Sequence, residues 1–179
     1  MIKNKTIPVL AVLAFVPAVA LANGMTGVTF EGSGCSGGSV GHSMSSDGSR
    51  ATMIFDTFVA TQGPNIDVSE EVKTCSVTFS LAGSDATGVK MIARGYVQLP
   101  AGMTTKQHQH IISVKQGNTV AGFDGPIARD YVTVTQGTLR DRHGDSASFT
   151  IQLQLEVDGA TGTAIGQATI DSLDIELAP

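Results

Sequence analysis

Phe149-Thr150-Ile151-Gln152-Leu153-Gln154-Leu155-Glu156-Val157 alternates apolar and polar residues without a fault. Successive side chains on a strand point to opposite faces, so this spacing sends Phe149, Ile151, Leu153, Leu155 and Val157 one way and Thr150, Gln152, Gln154 and Glu156 the other. The segment predicts a half-buried strand. Cys75, Val77, Phe79 and Leu81 repeat the pattern, with Ser76, Thr78 and Ser80 between them, so Cys75 takes the parity of the core-facing residues.

Working outward, further strand candidates fall at 27–31, 39–44, 51–61, 89–99, 104–115, 118–123, 128–135 and 164–177. Turn signals separate them, among them Asp47-Gly48, Gly63-Pro64-Asn65, Pro100-Ala101-Gly102, Asp124-Gly125-Pro126 and Asp158-Gly159. In the last candidate, Ala168 and Ile170 lie on one face and Leu173, Ile175 and Leu177 on the other, which predicts a bulge or break near Asp171-Ser172. Beyond the first residues, no segment keeps a helical apolar period for three turns. About nine or ten short antiparallel strands with no helix between them predict an all-β fold, an antiparallel β-sandwich, because a single sheet of that size would leave an apolar face in water. A closed barrel satisfies the same pattern.

Residues 1–22 read as a secretory signal peptide. Lys3 and Lys5 precede an apolar run from Ile7 to Leu21 that ends on Ala20-Leu21-Ala22, with cleavage expected before Asn23. The run is too short, and too interrupted by Pro8 and Pro17, for a permanent anchor, so no integral membrane segment is expected after cleavage. The expected address is secreted and extracellular, or periplasmic in a Gram-negative source. Removing residues 1–22 from 179 leaves 157, read as one domain over 23–179. Losing Lys3 and Lys5 lowers the basic count from 11 to 9 against 16 acidic residues, a formal charge of −7. Nucleic acid is a poor partner for such a chain, which has no basic run to release phosphate counterions. Tryptophan is absent and Tyr96 and Tyr131 are the only tyrosines, which weakens a sugar site built on ring stacking and leaves one built on hydrogen bonds open.

Cys35 and Cys75 are the only cysteines, and an oxidising compartment with an even count predicts one disulfide. His108 and His110 have metal-ligand spacing, since residues i and i+2 on a strand share a side and two imidazoles there suit zinc or copper. Ile112 and Val114 continue that parity, however, which predicts that the face is directed to the core. A third ligand would have to come from His42, His143 or a carboxylate elsewhere, and the reading is therefore of solvent-exposed or strand-edge histidines with no metal and no cofactor. The turn Arg140-Asp141-Arg142-His143-Gly144-Asp145 is read as solvated, with too few regularly spaced oxygens for calcium. Gly32-Ser33-Gly34 lacks the strand-to-helix elbow of a serine hydrolase. Arg94, a charge inside Ala93-Arg94-Gly95-Tyr96, is expected to pair with a carboxylate or stack on tyrosine, and Gly95 to admit a close neighbour.

Gly32-Ser33-Gly34-Cys35, Gly38-Ser39-Val40, Ile54-Phe55-Asp56-Thr57-Phe58, Cys75 and Arg94-Gly95-Tyr96, in this order and spacing, resemble a family of small secreted proteins of unknown function found in bacteria and fungi. The resemblance runs from about Gly32 to about Gly117. It departs at Ser36, where a proline is frequent, and at His108-Gln109-His110-Ile111, where an aromatic-rich strand is typical. It implies no catalytic or binding residue. The expectation is a secreted non-enzymatic β-domain, a surface, matrix or adhesion component capable of self-assembly or of meeting a cell-surface partner. The alternative is a secreted enzyme or ligand-binding protein with a site assembled across strands, metal-assisted through His108 and His110.

Overall fold

The computed structural model describes residues 24–83, 86–112, 114–139, 147–159 and 163–178. The leader 1–22 and the turn 140–145 lie outside the described residues. Two sheets face one another. The first, sheet A, holds β1 (Gly24–Glu31), β5 (Val72–Ala82), β11 (Ala147–Gly159), β7 (Met103–Ile112) and β9 (Asn118–Asp124), in that order across the sheet. The second, sheet B, runs β2 (Val40–Met44), β3 (Arg50–Phe55), β13 (Ser172–Ala178), β6 (Gly88–Leu99), β10 (Ile127–Leu139) and β8 (Val114–Lys115). At its end β12 (Gly166–Thr169) bridges β6 to β4 (Val59–Gln62). The β-sandwich is therefore the fold, with open sheet edges in place of a closed barrel.

Among the described residues, thirteen strands stand where the alternation predicted about nine or ten. Candidate 51–61 divides into β3 and β4, because Phe58 leaves strand geometry to pack edge-to-face on Phe55 at 5.4 Å. Candidate 104–115 divides into β7 in one sheet and β8 in the other. Candidate 164–177 breaks at Asp171, where the buried parity passes from Ala168 and Ile170 to Leu173, Ile175 and Leu177, at the predicted place.

The core lies between the sheets. Phe149, Ile151, Leu153, Leu155 and Val157 are all buried on β11, and Phe79 stacks on Phe149 at 5.0 Å. The Cys35–Cys75 disulfide ties the loop after β1 to the inner face of β5, both cysteines being buried. Gly34, beside it, has no room for a side chain: a Cβ would sit 2.5 Å from the Phe58 ring.

His108 and His110 stand on the outer face of β7, as the reading of solvent-exposed histidines expects, and the parity they share with Ile112 and Val114 does not turn that face to the core: the buried residues of β7 are Met103, Thr105, Gln107, Gln109 and Ile111. Buried amides are tolerable when hydrogen-bonded, and β10 supplies partners for three of the four amide atoms, all but Gln107 Nε2. Thr135 Oγ1 donates to Gln109 Oε1 at 2.7 Å, Gln109 Nε2 donates to Thr133 Oγ1, and Thr133 Oγ1 donates to Gln107 Oε1 at 3.0 Å. This relay of amides and hydroxyls joins sheet A to sheet B and turns both histidines outward.

Candidate functional site

Antiparallel pairing sets side chains opposite one another across the outer face of sheet A. Ser76 on β5 stands opposite Gln152 on β11, Gln152 opposite His110 on β7, and His110 opposite Asn118 on β9. The next row runs Thr74, Gln154, His108 and Val120. Between the two rows lies a groove of about 380 Å³ lined by Thr74, Ser76, His108, His110, Asn118, Gln152 and Gln154, a size that falls within the ordinary range of ligand sites.

None of the side-chain polar atoms of Ser76, Gln152, Gln154, His108, His110 and Asn118 is hydrogen-bonded to the protein among the described residues. One row away, Thr78 and Thr150 hydrogen-bond each other at 3.0 Å. The groove thus presents free donors and acceptors on β5, β11 and β7, whose backbones are paired on both sides, and on the edge strand β9. The strands stand about 4.8 Å apart, so the four side chains from Ser76 to Asn118 span about 14 Å.

The outer face of sheet B is built differently. Arg94 Nη1 is paired with Asp174 Oδ2 on the neighbouring β13, Thr52 Oγ1 donates to Asp174 Oδ1 at 2.8 Å, and Arg50 Nη2 donates to Glu176 Oε1 at 2.9 Å. Burial pushes the Asp174 carboxyl up, but hydrogen bonds from Arg94 and Thr52 and the guanidinium charge outweigh it and hold the group below the ordinary carboxylate value. Arg94 therefore has the carboxylate partner expected of it. Gly95 admits its close neighbours: a Cβ there would stand 2.0 Å from the Thr169 carbonyl oxygen and 2.7 Å from Tyr131 Oη. Tyr131 Oη donates to that same carbonyl at 2.5 Å, and burial, followed by the Asp171 charge, pushes the phenol pKa up.

His108 and His110 share the groove, as their spacing required. His42 lies on β2 in the other sheet, where its ring packs 5.6 Å from Phe30, and His143 lies outside the described residues. Among the described residues no three His, Cys, Asp or Glu side chains converge in the manner of a metal site. The facing neighbours of the two histidines are Gln154 and Val120, and Gln152 and Asn118, so no carboxylate stands directly opposite either ring. Thr74, Ser76, Asn118, Gln152 and Gln154 carry no reactive motif in the sequence. The one signal for Gln152 and Gln154 was their outward parity on β11.

The family described as a domain of unknown function, DUF4360, matches residues 24–178. An "Uncharacterized secreted protein" of Arthroderma benhamiae is 30% identical over 160 residues, covering 84% of this chain. The chain spans 65% of that relative's length. Among solved structures, TmCBM61 in complex with β-1,4-galactotriose is 8% identical with a TM-score of 0.36, over 87% of this chain and 91% of that one. The xylan-binding module CBM15 is 15% identical with a TM-score of 0.27, over 85% and 98%. Likeness this slight assigns no ligand to this chain.

Proposed function

This chain belongs to the DUF4360 family, and we propose that it is an exported, non-catalytic β-domain that serves as a surface, matrix or adhesion component, residues 23–179 forming the exported unit. The observation that carries this reading is the groove on sheet A. Its side chains include no Asp, Glu, Lys or Arg, are unpaired with one another and stand on hydrogen-bonded strands, a set suited to holding a ligand. General bases and metal-bound histidines typically have their second nitrogen oriented by a carboxylate or carbonyl partner. Neither His108 nor His110 hydrogen-bonds such a group among the described residues. The basic and apolar leader supports export, as does the secreted relative.

Adding the purified exported protein back to washed cells of its source tests the role. Saturable co-sedimentation is expected for the wild type. The Gln152→Ala, His110→Ala double variant, both positions being exposed, should stay in the supernatant with an unchanged melting temperature. Equal partitioning of the two proteins, or no sedimentation of either, overturns the proposal.

A further inference from the structure

We infer that the ligand of the sheet A groove is an uncharged polyhydroxylated chain, a neutral polysaccharide, laid across the strands along Ser76, Gln152, His110 and Asn118. This deepens the surface-binding role above and rests on it. Each hydroxyl of a sugar is at once a donor and an acceptor, and the groups that match it have the same double character. Carboxamides carry both, a neutral imidazole carries one of each, and serine and threonine hydroxyls do the same. The groove contains no other kind of polar side chain.

Charge narrows the choice. Both rows that form the groove hold no Asp, Glu, Lys or Arg across β5, β11, β7 and β9. Charged residues stand to one side, in the row Glu156 and Lys106 and the row Asp158 and Asp124, and at the β1 edge, where Glu31 faces Ser76. An anionic ligand would meet no fixed cation inside the groove, and a cationic one no carboxylate there. A peptide docking by strand addition would take the free β9 edge and leave the groove side chains of β5, β11 and β7 uncovered. The repeat of the site also fits a chain: successive strands offer one polar side chain about every 4.8 Å, roughly the length of a pyranose ring. Without an aromatic platform in the groove, recognition rests on hydrogen bonds in both rows together, so loss of one amide and one imidazole should remove most of it.

Native affinity electrophoresis of the exported protein, in gels containing hydroxyethylcellulose, galactomannan, soluble β-1,3-glucan or alginate, tests the assignment. At least one of the three neutral polymers should retard the wild type, equally at low and high salt because no counterions are released. Alginate should not retard it, and the Gln152→Ala, His110→Ala variant should migrate freely in every gel. Retardation by alginate alone, or by none of the neutral polymers, overturns the inference. Protease treatment of the cells separates this inference from the role it rests on: sedimentation that survives treatment supports a glycan, whereas sedimentation lost on treatment leaves the surface role standing and overturns the polysaccharide.

Discussion

Each outer face of the sandwich carries a polar cluster, and the two clusters dispose of their polar groups in opposite ways. On sheet B, Arg94 and Thr52 bond Asp174 and Arg50 bonds Glu176, and Ile54 and Val132 stand exposed at 58% and 60% in the row of Arg94. On sheet A, Ser76, Gln152, Gln154, His108, His110 and Asn118 face solvent without partners in the protein. Polar groups engaged with each other have little left to offer a ligand, whereas unengaged ones on a rigid frame exchange water for ligand with little reorganisation. Exposure alone does not distinguish these two clusters; pairing does.

The heaviest blow to this contrast would be an error in which way β11 faces. Leu153→Asp should abolish cooperative folding, because an unpaired buried charge costs several kcal/mol against a total stability of about 5–15 kcal/mol. Gln154→Asp, one residue along on the groove face, should leave the melting temperature nearly unchanged. Thermal melts of the two variants check the assignment, and equal melting temperatures would break it.

Gly95→Ala comes next, since it probes the frame that supports sheet B. The added methyl must displace the Thr169 carbonyl or the Tyr131 hydroxyl, and overpacking of this kind costs about 1–3 kcal/mol. Urea titration should show a lower midpoint, with groove binding retained.

Asp174→Asn sharpens the contrast at the paired face. A carboxyl held below its ordinary value of 3.8 stabilises the fold at pH above that value, and the contribution fades as pH falls through the lower folded-state value. The variant should lose at most about 1 kcal/mol near neutrality, as befits a half-exposed ion pair. Its deficit against the wild type should shrink in acid, as denaturant melts across the acid range would show. The smallest expected effect is that of zinc or copper on the wild type. With two imidazoles and no third ligand converging on them among the described residues, micromolar metal at neutral pH should not raise the melting temperature. A saturable rise, lost in the His108→Ala, His110→Ala variant, would move the site from hydrogen bonding to metal chemistry.

Where a strand buries apolar residues and exposes polar ones, as β11 and β5 do, the sequence shows its face directly. The break at Asp171 was visible for the same reason, and so was the disulfide, which needed only two cysteines and an oxidising address. β7 hid its face because both of its sides are polar. Gln107 and Gln109 become core residues only through Thr133 and Thr135 on β10, partners 26 residues away in the chain. The groove was hidden by the same kind of distance. Thr74, Ser76, Asn118 and Gln152 are commonplace in isolation, and only the register of four strands from distant parts of the chain sets them in rows.

The most direct test of the central contrast compares one double variant from each face in the same cell-sedimentation and affinity-electrophoresis measurements. Gln152→Ala with His110→Ala should abolish retention and retardation, while Thr52→Ala with Ile54→Ala on sheet B should leave both at the wild-type level, each variant being checked by its melting curve. Loss of retention in the sheet B variant with full retention in the sheet A variant would contradict the account.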